Sequence, residues 1–255
     1  MAESVLRIVL VHPELLGTYG DNGNALVVSQ RAAWRGVTAE TLVAGAGQPF
    51  PESGDIYLIG GGEDAAQSIA CEDLRDGGGL ARAVDRGAVV FAVCAGFQVL
   101  GQSFPGMGGQ IEDGLGLLGC ATRRGDPPRK VGEIVIQPPT ELGLPLLTGY
   151  ENHAGVTELG EGDQPLGQVI AGHGNNGTVD GAWKERVIAT YLHGPVLARN
   201  PALADLLLSW VVGDLEAIDD ELVDALRAER LAAATPRGRK PRPGRMLRRR
   251  SARQR

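Results

Sequence analysis

An α/β fold, with a mostly parallel sheet flanked by helices, is the architecture that this 255-residue sequence predicts. Short apolar runs rich in β-branched residues alternate with segments of helical periodicity through the first half of the chain. Such runs are typical of strands that are buried on both faces of a parallel sheet. The 38 glycines, about twice the usual share, predict many tight turns and close backbone approaches.

The first half of the chain contains four predicted strands and three predicted helices. The strands are Val5–Val11, Thr38–Val43, Asp55–Ile59 and Ala88–Val93, and the helices cover about 24–35, 65–86 and 97–103. The second helix has a weak point at Gly77–Gly79, because glycine is unfavourable inside a helix.

The second half has Gly-rich turns between predicted strands at Val131–Ile136, Leu166–Ala171 and Val187–Leu192. A helix is expected to start at Asn200-Pro201, since Asn caps helices and Pro suits the first helical position. A last helix runs from Asp219 to near Ala234. We expect residues 1–234 to form one domain.

Charge is distributed unevenly along the chain. Residues 235–255 carry ten Lys and Arg and no acid, which leaves 15 basic and 31 acidic residues in the body. This Arg-rich tail buries too little apolar surface to order itself, so we expect it to be disordered. The acidic body is not expected to bind nucleic acid, whereas the tail could contact an anionic membrane weakly. A solvated extension without function is the plainer alternative.

The sequence predicts a cytoplasmic protein, held at most at the inner face of the membrane. Its three cysteines are too few and too odd in number for a disulfide framework. The first residues have no basic region of the kind that begins a signal peptide. No apolar run is long enough to be a membrane span.

Cys94 is the leading candidate for a catalytic residue. It follows a buried strand and precedes Ala95-Gly96 and a helix, a strand–turn–helix pattern that exposes a nucleophile at the edge of a sheet. The helix N-terminus is expected to lower the pKa of the thiol. The alternative is a small core residue, which is the expectation for Cys71 and Cys120.

A cysteine nucleophile needs a base, and His193 is the leading one of four histidines. It follows the strand Val187–Leu192, so it is expected at the same sheet edge as Cys94, although a structural role for this histidine is the competing interpretation. The other three histidines are His12, His153 and His173.

Gly60-Gly61-Gly62 follows the third strand and brings backbone N–H groups to this edge. Such groups can stabilise the oxyanion of a tetrahedral intermediate. A simple tight turn is the alternative. A phosphate-binding loop is disfavoured because no Lys-Ser/Thr pair follows.

Five stretches in this order resemble the class I glutamine amidotransferases, within them the cobyric-acid-synthase-like branch, and within that the glutaminase subunits of lipid II isoglutaminyl synthases. They are Tyr19-Gly20-Asp21-Asn22-Gly23-Asn24, Cys94-Ala95-Gly96-Phe97-Gln98, Tyr150-Glu151-Asn152-His153, Gly174-Asn175-Asn176-Gly177 and Tyr191-Leu192-His193-Gly194-Pro195. The resemblance covers about residues 4–215 and implies a flavodoxin-like sheet.

The resemblance implies that Cys94 attacks the side-chain amide of glutamine. Backbone N–H groups near Gly61 and Ala95 would hold the oxyanion, and His193 would act as general acid and base. Arg129 matches a family position that pairs with the α-carboxylate of glutamine, although a solvated loop arginine is an equal alternative.

The family further implies a heterodimer with an ATP-dependent partner of the Mur-ligase type. Ammonia from this chain would let that partner amidate the D-glutamate of the lipid II stem peptide to D-isoglutamine. No cofactor or metal is expected on this chain, and ATP and Mg²⁺ are expected on the partner.

This sequence departs from the class at one position. Many class I amidotransferases carry an acid two residues after the histidine, where this chain has Pro195. A third catalytic acid is therefore absent, comes from the partner or lies elsewhere in the chain, where Asp21 and Glu151 occupy matching loops.

Two other functions remain open at this stage. One is a glutaminase of cobyrinate or cobyric acid amidation, which the absence of a nucleotide-binding loop and of room for a synthetase domain disfavours. The other is a non-enzymatic scaffold with an amidotransferase fold, which the presence of both Cys94 and His193 disfavours.

Overall fold

The computed structural model describes residues 5–18 and 20–234. The predicted Arg-rich tail, residues 235–255, lies outside the described residues. Among the described residues the strands are β1 Leu6–Val11, β2 Ala39–Ala44, β3 Ile56–Ile59, β4 Val89–Val93, β5 Ser103–Pro105, β6 Ile111–Asp113, β7 Ala121–Arg124, β8 Lys130–Gln137, β9 Leu147–His153, β10 Gly155–Glu158, β11 Gly167–Ala171, β12 Val179–Asp180, β13 Ala182–Lys184 and β14 Val187–Thr190. The α-helices are α1 Gly23–Ala33, α2 Asp64–Gly77, α3 Gly79–Asp85, α4 Ala95–Leu100, α5 Val196–Arg199, α6 Pro201–Val212 and α7 Glu221–Ala234.

The central sheet has six strands in the order β13-β14-β4-β3-β1-β2. All of its pairings are parallel except that of β13 with β14. The five parallel strands therefore have the flavodoxin-like order, in which ligands bind at the carboxyl ends of the strands. Every residue of β3, β4 and β14 is buried, as the continuous apolar runs predict.

Helices cover this sheet in two groups, since α1 packs with α5 and α6 while α2 packs with α4. The single helix predicted over 65–86 is wrong, because two helices meet at Gly78, whose φ is +58°. Glycine adopts this left-handed conformation at little cost and ends the first helix there. The helix predicted over 97–103 also ends early, at Leu100, because the backbone is extended at Gly101.

Two smaller four-stranded sheets were not predicted as sheets. Their strand orders are β10-β7-β5-β6 and β12-β11-β8-β9, and nearly all their pairings are antiparallel. Only β8 and β11 were expected, since most of the other strands are short and lack a continuous apolar run. Tertiary pairing, rather than local sequence, selects these strands.

The predicted start of α6 is only partly correct. Pro201 occupies the first turn, but the side chain of Asn200 makes no capping hydrogen bond. Its Oδ1 instead accepts from the Thr148 N–H at 2.9 Å, and its Nδ2 donates to the carbonyl oxygens of Thr148 and Val196 at 2.8 Å each. Asn200 therefore joins α6 to β9 instead of capping the helix. Among residues 5–18 and 20–234, no helix combines the length and apolar character that crossing a bilayer requires.

Candidate active site

Cys94 lies on the sharp turn between β4 and α4. Its backbone has φ +54° and ψ −105°, a conformation that non-glycine residues rarely adopt. The turn is held by hydrogen bonds from the Cys94 N–H to the Thr190 oxygen at 2.9 Å and from the Gln98 N–H to the Cys94 oxygen at 3.1 Å. The strand–turn–helix that the sequence predicts is thus present, and its strained residue is the cysteine.

The glycine turn after β3 lies directly beside this cysteine turn. Gly96 donates its N–H to the Gly60 oxygen at 3.1 Å. A Cβ atom on Gly96 would lie 2.7 Å from Cγ2 of Ile59, and one on Gly60 would lie 2.0 Å from the Leu16 oxygen. Only glycine allows these backbones to approach so closely at the carboxyl edge of the sheet.

A cleft opens at this edge beside Cys94. Its polar lining combines amide, guanidinium, imidazole and carboxylate side chains with exposed backbone, and the lining residues are Gly62, Glu63, Asp64, Gln67, Cys94, Ala95, Gln98, Pro105, Arg124, Arg129, His153, Ala154 and Gly155. A concave site with converging polar groups at the carboxyl ends of parallel strands is suited to a small polar ligand.

Burial, with a smaller effect from the nearby Asp21 carboxylate, raises the pKa of the Cys94 thiol to about 12. The lowering expected from the helix N-terminus is present at the Ala95 N–H, but the net shift of this pKa is upward. Arg129 and the Ala95 N–H favour the thiolate, but the loss of hydration in this buried position outweighs both. Cys94 is therefore a protonated thiol at rest, and the nucleophilic role predicted for it requires a base.

His193 follows β14 and pairs with β9 through a two-way backbone bridge. The His193 N–H donates to the Tyr150 oxygen at 2.8 Å, and the Tyr150 N–H donates back at 3.2 Å. Because β14 is the neighbour of β4, His193 and Cys94 follow adjacent parallel strands at the same sheet edge. The prediction that Cys94 and His193 lie at the same edge of the sheet is confirmed, and their catalytic roles stay predictions.

The orientation of the His193 ring comes from backbone carbonyl groups. Its Nδ1 lies 2.7 Å from the Tyr191 oxygen and 3.0 Å from the Tyr150 oxygen. Two acceptors at Nδ1 select the tautomer with its proton there, and Nε2 is the unprotonated ring nitrogen of that tautomer. Burial lowers the pKa of His193 to about 4, so the imidazole is neutral at pH 7 but is a weak base in this resting state.

The two acids considered for the position left by Pro195 have other contacts. The Asp21 carboxylate accepts the Gly61 N–H at 2.8 Å. The Glu151 carboxylate accepts the N–H groups of His173 and Gly174 at 2.8 and 2.9 Å and lies 3.4 Å from Nε2 of His153. The contacts of Asp21 and Glu151 therefore explain how two loops are held rather than how the His193 ring is oriented.

The two residues predicted to donate backbone N–H groups to an oxyanion, Gly61 and Ala95, have different hydrogen-bond partners in this structure. Ala95 lines the cleft, and its N–H is directed at the Cys94 sulfur, where it favours the anion. The Gly61 N–H donates to Oδ2 of Asp21 at 2.8 Å in this structure, and its donation to an oxyanion stays a prediction. The next residue, Gly62, lines the cleft instead.

Arg129 lies in the cleft wall, and its contact with the substrate stays a prediction. Its Nε donates to Oδ1 of Asn152 and its Nη2 to the Asn152 backbone oxygen, each at 2.9 Å. These two bonds fix one edge of the guanidinium. The remaining N–H groups are suited to a carboxylate.

A buried polar network below the cleft was missed by the sequence analysis. Gln67 donates to Gln98 at 3.0 Å, Gln98 donates to the Tyr191 hydroxyl at 3.1 Å, and that hydroxyl lies 2.7 Å from Oγ1 of Thr157. The His153 ring stacks on Tyr191 with centroids 3.9 Å apart. Gln98 belongs to the Cys94 motif, but nothing local in the sequence marks Gln67, which is brought there by α2.

The fold is that of the glutamine amidotransferases. A crystal structure of a glutamine amidotransferase aligns with a TM-score of 0.56 and 21% identity, covering 80% of this chain and 98% of that one. A second, from Thermotoga maritima, aligns with a TM-score of 0.50 and 14% identity over 90% of this chain and 97% of that one. At these identities the likeness concerns the fold alone.

The chain belongs to the family of CobB/CobQ-like glutamine amidotransferase domains, whose sequence model matches residues 7–201. It is 36% identical to the GatD subunit of the glutamine-hydrolysing lipid II isoglutaminyl synthase of Streptococcus pneumoniae, over 80% of this chain and 79% of that subunit. Identity to the GatD subunit of Staphylococcus aureus is 34%, over 76% and 79%. A probable cobyric acid synthase of Methanopyrus kandleri is 33% identical, but the match covers 64% of this chain and only 35% of that protein.

Proposed function

We propose that this protein is the glutaminase subunit of a lipid II isoglutaminyl synthase. The proposal depends on the matched lengths: the similarity extends over about four fifths of both GatD subunits. Only about a third of the cobyric acid synthases is matched. The catalytic chemistry that this family requires is supported by a cysteine on a strained turn beside a polar cleft.

The first half of the proposed reaction forms a thioester. As glutamine binds, the Cys94 thiol transfers its proton to Nε2 of His193 while the sulfur attacks Cδ of the side-chain amide. The carbonyl oxygen becomes an oxyanion near the Ala95 N–H. When the intermediate collapses, the C–N bond breaks and the leaving nitrogen takes the proton from His193, so that ammonia departs.

The second half regenerates the enzyme. Water attacks the thioester carbonyl and gives a proton to His193, and collapse of this second intermediate breaks the C–S bond. The proton returns to sulfur, glutamate leaves, and Cys94 is again a neutral thiol. Arg129 holds the α-carboxylate of glutamine throughout, which orients the amide towards the sulfur.

The resting pair of a neutral thiol and a neutral imidazole is poorly primed for attack. Proton transfer becomes favourable when substrate or partner binding changes the surroundings of the pair. The proposed partner is a Mur-ligase-like subunit that binds ATP and Mg²⁺, receives the ammonia and amidates the α-carboxylate of D-glutamate in lipid II; the naming of the relatives as subunits of a lipid II isoglutaminyl synthase supports a heterodimer.

The test is glutamate release from glutamine by this chain, alone and with its ligase, and conversion of lipid II glutamate to isoglutamine by the pair. Cys94→Ala is expected to abolish both with little change in stability, and Cys71→Ala is the matched control at a buried cysteine outside the cleft. Full activity in the Cys94→Ala variant would refute the assignment of Cys94 as the nucleophile. Amidation of a corrin instead of lipid II would refute lipid II as the substrate of the pair and would favour a role in cobyric acid synthesis.

A further inference from the structure

Asp21 is a buried acid that the proposed reaction does not use. Its side chain is 3% exposed, and it lies just before α1 in the loop that packs on the glycine turn after β3. Among the residues that the structure describes, its Oδ1 has no hydrogen-bond partner. Burying a carboxylate with an unsatisfied oxygen costs folding free energy, so the loop contact made by Asp21 is formed at a cost in stability.

The other carboxylate oxygen, Oδ2, accepts the Gly61 N–H at 2.8 Å. Burial raises the pKa of Asp21 to about 6, so above pH 7 the carboxylate is mainly ionised and this hydrogen bond is charge-assisted. The next peptide, which carries the Gly62 N–H, is held as well, because its Gly61 oxygen accepts the Thr18 N–H at 3.2 Å. The orientation of the Gly61 residue is thus set by its two bonds to one loop.

The orientation of Gly61 determines where the following peptide points. Gly62 lines the cleft together with Cys94 and Ala95, whereas Gly61 does not. A Cβ atom on Gly62 would lie 2.6 Å from the Leu15 oxygen, so its backbone is also pressed against the segment that precedes Asp21. Gly62 and Ala95 are two lining residues on either side of Cys94's turn whose N–H groups are suited to stabilising an oxyanion together.

We propose that Asp21 is a positioning residue that holds the Gly60–Gly61 peptide, and with it the orientation of Gly61, so that the Gly62 N–H of the next peptide joins the Ala95 N–H as the second oxyanion donor. This inference rests on the proposed glutaminase function. An oxyanion donor acts in the transition state rather than in substrate binding, so the anchor affects kcat and leaves KM for glutamine nearly unchanged.

The test compares Asp21→Ala, which removes the acceptor, with Asp21→Asn, whose Oδ1 can still accept the Gly61 N–H. Loss of an oxyanion donor typically costs about 100-fold or more in kcat, so a misaligned donor is expected to lower kcat about 10- to 100-fold in Asp21→Ala. KM is expected to stay within about 3-fold, and Asp21→Asn to restore kcat to within about 3-fold of the wild type. Asp163→Ala, at a buried acid outside the cleft lining, is the control and is expected to leave kcat unchanged.

Amide hydrogen exchange of the peptide that contains Gly60–Glu63 gives a readout that needs no catalysis. Exchange is expected to accelerate in Asp21→Ala and to remain as in the wild type in Asp21→Asn. Wild-type kcat in Asp21→Ala, equal losses in both Asp21 variants, or a rise in KM in place of the fall in kcat would each overturn the proposal. If wild-type chain with its ligase releases no glutamate, the glutaminase proposal fails, and unchanged exchange in Asp21→Ala separately refutes the anchor.

Discussion

Gly60→Ala is expected to inactivate the enzyme by moving the two turns that form the cleft. A Cβ atom at this position would lie 2.0 Å from the Leu16 oxygen and 2.8 Å from Cβ of Asp21. An ordinary contact between carbon and oxygen is about 3.3 Å, so backbone must move by roughly 1 Å, because a carbonyl oxygen cannot rotate away as a side chain would. Gly60 also accepts the Gly96 N–H, which ties this shift to the Cys94 turn.

A displacement of this size at reacting groups costs about 100-fold in rate, and overpacking of this kind costs about 1–3 kcal/mol of stability. The assay is steady-state glutamate release with the ligase present, together with urea unfolding of the same variant. Gly77→Ala is the matched control, because a Cβ there meets nothing within 4 Å. It lies in the last turn of α2, so the alanine is expected to be neutral or to stabilise by up to about 1 kcal/mol. A Gly60→Ala variant with wild-type kcat would refute the close-approach argument.

Three further perturbations have expected outcomes. The Arg31 guanidinium is 3% exposed and donates to Asp205 at 2.6 and 2.7 Å and, through two nitrogens, to Asp220 at 2.8 Å. Arg31→Met removes these bonds, and the free energy of unfolding in urea is expected to fall by about 3–5 kcal/mol. Arg129→Gln is expected to raise KM for glutamine about 10- to 100-fold with a smaller change in kcat, since a hydrogen bond between charged groups contributes about 1.5–3 kcal/mol. Because the pKa of His193 is lowered from 6.5 to about 4 in the folded protein, the unfolded chain takes up a proton at a higher pH than the folded protein does. The free energy of unfolding is therefore highest above about pH 6.5 and falls as the pH decreases towards 4. The free energy of unfolding, measured by urea titration, is therefore expected to fall by about 2 kcal/mol less in His193→Gln than in the wild type between pH 7 and pH 5.

Matched variants separate these effects from general damage. Arg7→Met breaks an ion pair with Glu40 in which both side chains are about half exposed, and it is expected to cost less than about 1 kcal/mol. Arg123→Gln changes an exposed arginine of β7 that does not line the cleft, and KM is expected to stay unchanged. An Arg31→Met loss as small as that of Arg7→Met, an unchanged KM in Arg129→Gln, or equal acid sensitivity of His193→Gln and the wild type would contradict the respective argument.

Local sequence determined much of the central sheet. The runs that became β1, β3 and β4 are apolar and β-branched, and such segments satisfy their hydrogen bonds and bury both faces only inside a parallel sheet. The turn at Cys94 could also be predicted from the sequence, because small residues directly after a buried strand favour a tight turn whatever packs around them. These inferences succeed since each depends on residues that are neighbours in the chain.

Contacts between distant residues decided the chemistry of the site. The Asp21 carboxylate meets the Gly61 N–H across forty positions, and Nδ1 of His193 meets the Tyr150 oxygen across forty-three. No local pattern encodes such pairs, and the short strands of the two smaller sheets are selected in the same way. Burial also reversed one local expectation: a helix N-terminus favours a thiolate, yet the surrounding protein raises the pKa of Cys94 to about 12.

The sequence by itself thus determined that a cysteine and a histidine follow strands of one parallel sheet, because hydrophobic periodicity and turn residues act locally. Only the tertiary structure decided which backbone groups face the cleft, what orients the imidazole and which protonation states the pair has at rest. The physical reason is that hydration and hydrogen bonding at a buried site depend on every group packed around it, and the chain assembles that environment only when distant segments meet.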